Sequence, residues 1–154
     1  MIVYRLSKSK YCRDLSGKGA EESGARWNSK GQRMLYTSQS RALCTAEIAV
    51  HTPLGIIPSD YVLTTIEIPA NLTFLEINLS TLVADWKSFP YNHYTQKVGD
   101  NFIANNLSLI LKVPSAVVQG DFNFLINPNH PEFKKIKIIK TEAFIFDERL
   151  FLKQ

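Results

Sequence analysis

The sequence predicts one α+β domain with a mixed β-sheet core over residues 1–154. Three observations carry that reading. β-prone runs and helix-period stretches alternate irregularly, with too few strand–helix–strand units for a doubly wound sheet. No internal repeat, low-complexity tract or linker divides the chain. Its length suffices for a core without staples, and 45% apolar with 21% charged residues is ordinary globular composition.

Taken in order, Ile2–Leu6 alternates like a short strand, and Ser16 to Gly24, rich in glycine and small residues, reads as loop. Met34–Thr37 is a compact β-prone run behind the turn signal Lys30-Gly31. Ser38 or Ser40 can cap a helix over Arg41–His51, which ends before Pro53 with Gly55 beyond it. Tyr61–Ile68 is a β-branched strand stopped by Pro69. Ser80 is read as capping a short helix through Trp86, and Thr95 a longer one through about Asn106. Strands are expected near Ala116–Val118, Asn123–Ile126, Ile136–Lys140 and Ala143–Phe146.

Charge and cysteine usage exclude several classes. A net charge of +4 suits an anionic small molecule or an acidic partner but falls short of a nucleic-acid footprint. Lys134, Lys135, Lys137 and Lys140 supply much of the excess and read as a solvated strand edge. Cys12 and Cys44 have no CxxC partner, which disfavours a disulfide or zinc framework and fits a reducing compartment. His51, His93 and His130 lack HExxH spacing, so no metal site is expected. MIVYRLSKSK lacks the apolar run of a signal peptide and no stretch approaches membrane-spanning length, so a cytoplasmic location without membrane association is expected.

A few residues stand where their chemistry is costly. On a helix over Arg41–His51, Leu43, Ala46 and Val50 form one stripe and Glu47 falls at its edge. A carboxylate there, at least half buried, needs a cation or a set of donors facing it. It is either a structural ion pair or a carboxylate held dry for chemistry. Arg26, before Trp27 and Asn28, is either a surface cation packed on a ring or a bidentate clamp for phosphate or carboxylate. Gly17, Gly19 and Gly24 would let the backbone approach an anion, although neither GxGxxG nor GxxxxGK[ST] is present. Ser115 follows Pro114 at the mouth of an expected strand, without G-x-S-x-G, and can also bond its own backbone. Asn123 to Pro131 gathers amides, His130 and two prolines around a turn.

In order along the chain, Gly24-Ala25-Arg26-Trp27-Asn28, Gly31, Leu35-Tyr36-Thr37-Ser38, Ala46-Glu47-Ile48-Ala49-Val50-His51, Val113-Pro114-Ser115-Ala116-Val117-Val118, Asn123 through His130-Pro131, and Phe146-Asp147-Glu148-Arg149-Leu150 resemble the RES-domain family. The likeness runs from Val3-Tyr4-Arg5 to Leu150, and the family's Arg, Glu and Ser fall on Arg26, Glu47 and Ser115. Ala25 stands where the family usually has Gly, and Phe102 where Trp is commoner.

The resemblance implies an ADP-ribosyltransferase-like fold and a toxin of a RES–Xre type II toxin–antitoxin system that arrests growth by degrading NAD⁺. It implies hydrolysis or phosphorolysis of the nicotinamide–ribose bond, with NAD⁺ as substrate and no further cofactor. The implied partner is an Xre-type helix-turn-helix antitoxin, which blocks the cleft and carries the only link to DNA; a homodimer within that complex is a further expectation. The chemistry suits these side chains. Nicotinamide departs neutral from a positively charged ring, so one carboxylate, Glu47, is enough to stabilise an oxocarbenium-like ribose. Arg26 would bind pyrophosphate, Tyr36 stack on nicotinamide or shape that wall, Ser115 donate to phosphate or ribose, and Asn123 add a polar contact. Two alternatives stand beside this reading: mono-ADP-ribosylation of a host protein, and a non-catalytic nucleic-acid-binding module.

Overall fold

The computed structural model describes residues 1–152. A seven-stranded mixed sheet runs in the order β4-β5-β6-β2-β1-β3-β7. The strands are β1 (Ile2–Lys8), β2 (Leu35–Ser38), β3 (Tyr61–Glu67), β4 (Phe74–Glu76), β5 (Ile110–Pro114), β6 (Phe122–Ile126) and β7 (Lys137–Phe144). β4 pairs with β5 in parallel and every other pair is antiparallel. The helices are α1 (Lys18–Ser23), α2 (Arg41–His51) and α3 (His93–Asn105). The α+β class and the mixed sheet are therefore as the sequence predicts.

Strand register decides which side chains share a face, because successive residues point to opposite sides of a sheet. Tyr36 lies opposite Leu125, and Ser38 opposite both Asn123 and Tyr4. Leu111 and Val113 continue that face across Leu125 and Asn123. On the other face Val3, Leu35, Ile66, Ile110 and Ile126, none more than 2% exposed, form a wholly apolar core. The first face is the one that lines the cavity described below. Its apolar part packs beneath Trp27, Trp86, Phe102 and Ile103, while Tyr36, Ser38 and Asn123 introduce polar atoms.

α2 occupies the predicted span. Ser40, in extended conformation, accepts from Leu43 N and caps it; Ser38 is left free for another partner. Several other expectations are corrected. The stretch expected as loop contains α1, and Gly17 (φ 73°) abuts the backbone just before β2: a Cβ there would lie 2.7 Å from Met34 N. That glycine admits the chain's own backbone rather than an anion. Ser80 caps no helix; Asn78 caps one 3-10 turn, Leu79–Thr81. Asn92, not Thr95, caps α3, and Thr95 is fully buried inside its first turn. The strand expected at Ala116–Val118 is instead β5, which ends at Pro114, so Ser115 follows a strand rather than opening one. The two C-terminal strands are one, β7, a sheet edge along which Lys137 and Lys140 are exposed. β4 lies where the sequence predicts no element.

Candidate active site

Glu47 sits on α2 with its carboxylate gripped by two strand ends. Asn123 Nδ2 donates to Glu47 Oε1 at 2.7 Å, and Ser115 Oγ donates to the same oxygen at 3.1 Å. No salt bridge reaches Glu47 among the described residues. Its second oxygen, Oε2, accepts no hydrogen bond there either, and Glu47 lines a cavity of about 840 Å³. Of the two arrangements the sequence allowed, a cation or a set of donors, the fold uses donors.

Both donors are themselves fixed. Ser38 Oγ donates to Asn123 Oδ1 at 2.7 Å, which turns the amide so that its NH₂ faces Glu47. Ser115, 2% exposed, accepts from Val117 N and Val118 N at 3.0 Å each while donating to Glu47. One donor and two acceptor sites are thus all occupied. Ser115 also lies outside the cavity wall, whereas Arg26, Tyr36, Glu47 and Asn123 form part of it. The hydroxyl therefore holds the carboxylate and closes the turn after β5, and the expected direct contact with phosphate or ribose is revised.

Arg26 reaches the cavity from the loop after α1. Its Nη1 donates to Trp86 O at 2.6 Å and Ser88 O at 3.1 Å, and its guanidinium lies 5.2 Å from the centre of the Tyr91 ring. The aromatic partner is therefore Tyr91 rather than the neighbouring Trp27. Burial lowers the Arg26 pKa from its ordinary value, while Tyr91 and then Glu47 pull it back up. Among the described residues the guanidinium bonds only to neutral carbonyls, which leaves its full positive charge for an anion.

Tyr36 presents its ring to the cavity but not its hydroxyl. The hydroxyl donates to Asn28 Oδ1 at 2.8 Å and accepts from Trp27 N at 3.1 Å, and burial raises its pKa. It is thereby a strut for the Arg26–Asn28 loop. α3 fastens that loop from the other side. Gln96 Nε2 donates to Ala25 O at 3.1 Å, Asp100 Oδ1 accepts from Ser29 N at 2.9 Å, and a Cβ on Gly99 would lie 1.6 Å from Trp27 O. Positions 96, 99 and 100 share one face of a helix.

Cys44 also lines the cavity, and burial pushes its thiol up to about 11, so it is a neutral apolar wall rather than a nucleophile. Among the described residues no group of three His, Cys, Asp or Glu is placed to hold a metal. No described helix is long and apolar enough to cross a membrane. The sequence assigns no role to Phe89, Tyr91, Gln96, Gly99 or Asp100, and offers Ser38 only as a helix cap rather than as the partner of Asn123.

The fold and site together define a carboxylate-centred, cation-walled pocket on an α+β sheet. The RES domain family model matches residues 2–147, and the chain belongs to that family. It is 35% identical over 142 residues to a protein of Sphingobium sp. (strain YBL2) named Prs ADP-ribosylating toxin, covering 91% of this chain and 88% of that protein. It is 34% identical over 152 residues to Toxin Res of Photorhabdus laumondii, covering 97% of each. Toxin Res of Pseudomonas putida is likewise 34% identical, over 155 residues, 98% of this chain and 100% of that protein. In fold, the chain is similar to a chain in the crystal structure of the Mycobacterium tuberculosis MbcT–MbcA toxin–antitoxin complex, with a TM-score of 0.76 over 97% of this chain and 86% of that one, at 20% identity.

Proposed function

We propose that this chain is the toxin of a toxin–antitoxin pair and that its cavity binds NAD⁺ and breaks the bond between nicotinamide and ribose. The observation that carries the reading is Glu47: a carboxylate in the cavity with one oxygen held by Asn123 and Ser115 and, among the described residues, the other unengaged and no cation paired to it. An anion so held gains most when positive charge develops beside it, because it needs no reorganisation as the reaction proceeds. The cavity volume falls in the range of about 300–1,000 Å³ common for small-molecule sites.

In the proposed reaction the C1′–N bond breaks and its electron pair passes to the pyridinium nitrogen, so nicotinamide leaves neutral. The positive charge left on the ribose is stabilised by Glu47. Water then adds through oxygen to C1′ and releases a proton to solvent, or inorganic phosphate adds through an oxygen to give the ribose 1-phosphate. Arg26 binds the pyrophosphate, for which its planar fork is suited. The Tyr36 ring shapes the wall, and Ser115 and Asn123 hold Glu47 in place.

A second reading, transfer of ADP-ribose to a protein, is favoured by the name of the Sphingobium relative. Labelled NAD⁺ incubated with the purified protein and host proteins, with and without inorganic phosphate, separates them. Free ADP-ribose or its 1-phosphate supports cleavage; label on a protein band supports transfer; intact NAD⁺ overturns both. The proposed partner is a small helix-turn-helix antitoxin that covers the cavity, so it should compete with NAD⁺ for the toxin and restore growth on co-expression.

A further inference from the structure

The loop between the last 3-10 turn before α3 and α3 itself places two aromatic rings at the cavity. Phe89 lines it while remaining 76% exposed, so this ring stands at the mouth. Tyr91 lines it too, and the two rings meet edge to face, 5.3 Å between centroids at 88°. The loop is not free to wander: Arg26 holds the carbonyls of Trp86 and Ser88, and its guanidinium faces Tyr91. Fold stability gives no account of Phe89, since burial is what makes a phenylalanine stabilising and this one is mostly in water.

Resting on the proposed function, we infer that Phe89, braced by Tyr91, is the platform for the adenine of the dinucleotide. NAD⁺ carries two flat bases joined through the pyrophosphate. The nicotinamide ribose must reach Glu47 inside the cavity, and the pyrophosphate pairs with Arg26. The second base therefore emerges next to the loop that Arg26 itself grips, where Phe89 offers an open ring face. Stacking on an aromatic face is a general way to hold a base without reading its edges. The site would thus favour adenine-bearing dinucleotides over nicotinamide mononucleotide, which has the same scissile bond and no second base.

The test compares the whole wild-type protein with two variants of one position, Phe89→Ala and Phe89→Trp. Melting temperatures should agree, because an exposed ring is being changed. Phe89→Ala should raise KM for NAD⁺ about tenfold with kcat little altered, and Phe89→Trp should restore it. The penalty on nicotinamide mononucleotide should stay below about twofold, since no base reaches the platform. Binding of ADP-ribose, titrated calorimetrically, should weaken with the same order of variants whether or not turnover is measured. Equal penalties on both nicotinamide substrates, or unchanged ADP-ribose affinity in Phe89→Ala, would overturn the platform. Wild-type protein that binds ADP-ribose but leaves NAD⁺ intact would instead overturn the cleavage reading and leave the platform standing.

Discussion

Asn123 and Glu47, 76 residues apart in sequence, meet at 2.7 Å, with the amide NH₂ donating to Oε1. Ser38 fixes the orientation of that amide from its other end. The carboxylate is thus positioned by neutral donors, which hold it without neutralising it.

Replacing the donor by an acid tests this. Asn123→Asp keeps the bond from Ser38 but sets a second carboxylate against Glu47. Two like charges at that distance cannot both ionise easily, so one retains its proton to higher pH. Turnover at neutral pH should fall about tenfold, and the acid limb of the pH–rate profile should move upward, with partial recovery as pH rises. An unshifted profile would mean that Asn123 does not govern the carboxylate.

Arg26→Lys preserves charge and loses the fork. A lysine cannot hold the Trp86 and Ser88 carbonyls and also present two parallel donors to a pyrophosphate. KM for NAD⁺ should rise about tenfold or more, at least as strongly as kcat falls, because this contact exists before the reaction as well as during it. Steady-state kinetics decide it; a near-normal KM would reduce Arg26 to a brace for the 86–91 loop.

Gly99→Ala should damage the site from a distance. The added methyl would fall 1.6 Å from Trp27 O, against backbone rather than a movable side chain. The cost should be about 3 kcal/mol of stability, read by denaturant titration. At temperatures where the variant is folded, NAD⁺ binding should still be weaker, because the loop bearing Arg26 is displaced. Wild-type stability would show that α3 and this loop do not pack as described.

Much of this was legible in the sequence, for identifiable reasons. α2 was readable because an apolar stripe, a serine cap and a following proline agree, and Glu47 stood out against that stripe. β5 escapes the pattern because Leu109, Ile110 and Leu111 are consecutive buried apolar residues followed by a half-buried Lys112, a run without the alternation that marks a strand. The amides after Phe122 divide between the expected strand and the turn beyond it. Asn127 holds the turn by accepting from Asn129 N, while Asn123, on a strand, serves Glu47. Ser38 looked like a helix cap, and only the strand register reveals its partner. The Phe89–Tyr91 loop is irregular, so no periodicity announced it.

Glu47→Gln tests the central claim most directly. Among the described residues Glu47 has no cationic partner to strand, and a Gln carbonyl can still accept from both Asn123 and Ser115. The melting temperature should therefore hold or rise slightly, as it does when a charge is removed from a functional site. NAD⁺ turnover should fall about a hundredfold or more, the scale of losing one preorganised electrostatic contact, and growth arrest should be lost with it. A variant that melts much earlier yet turns over NAD⁺ normally while folded would contradict the account, placing the carboxylate in the packing of α2 instead of in the chemistry.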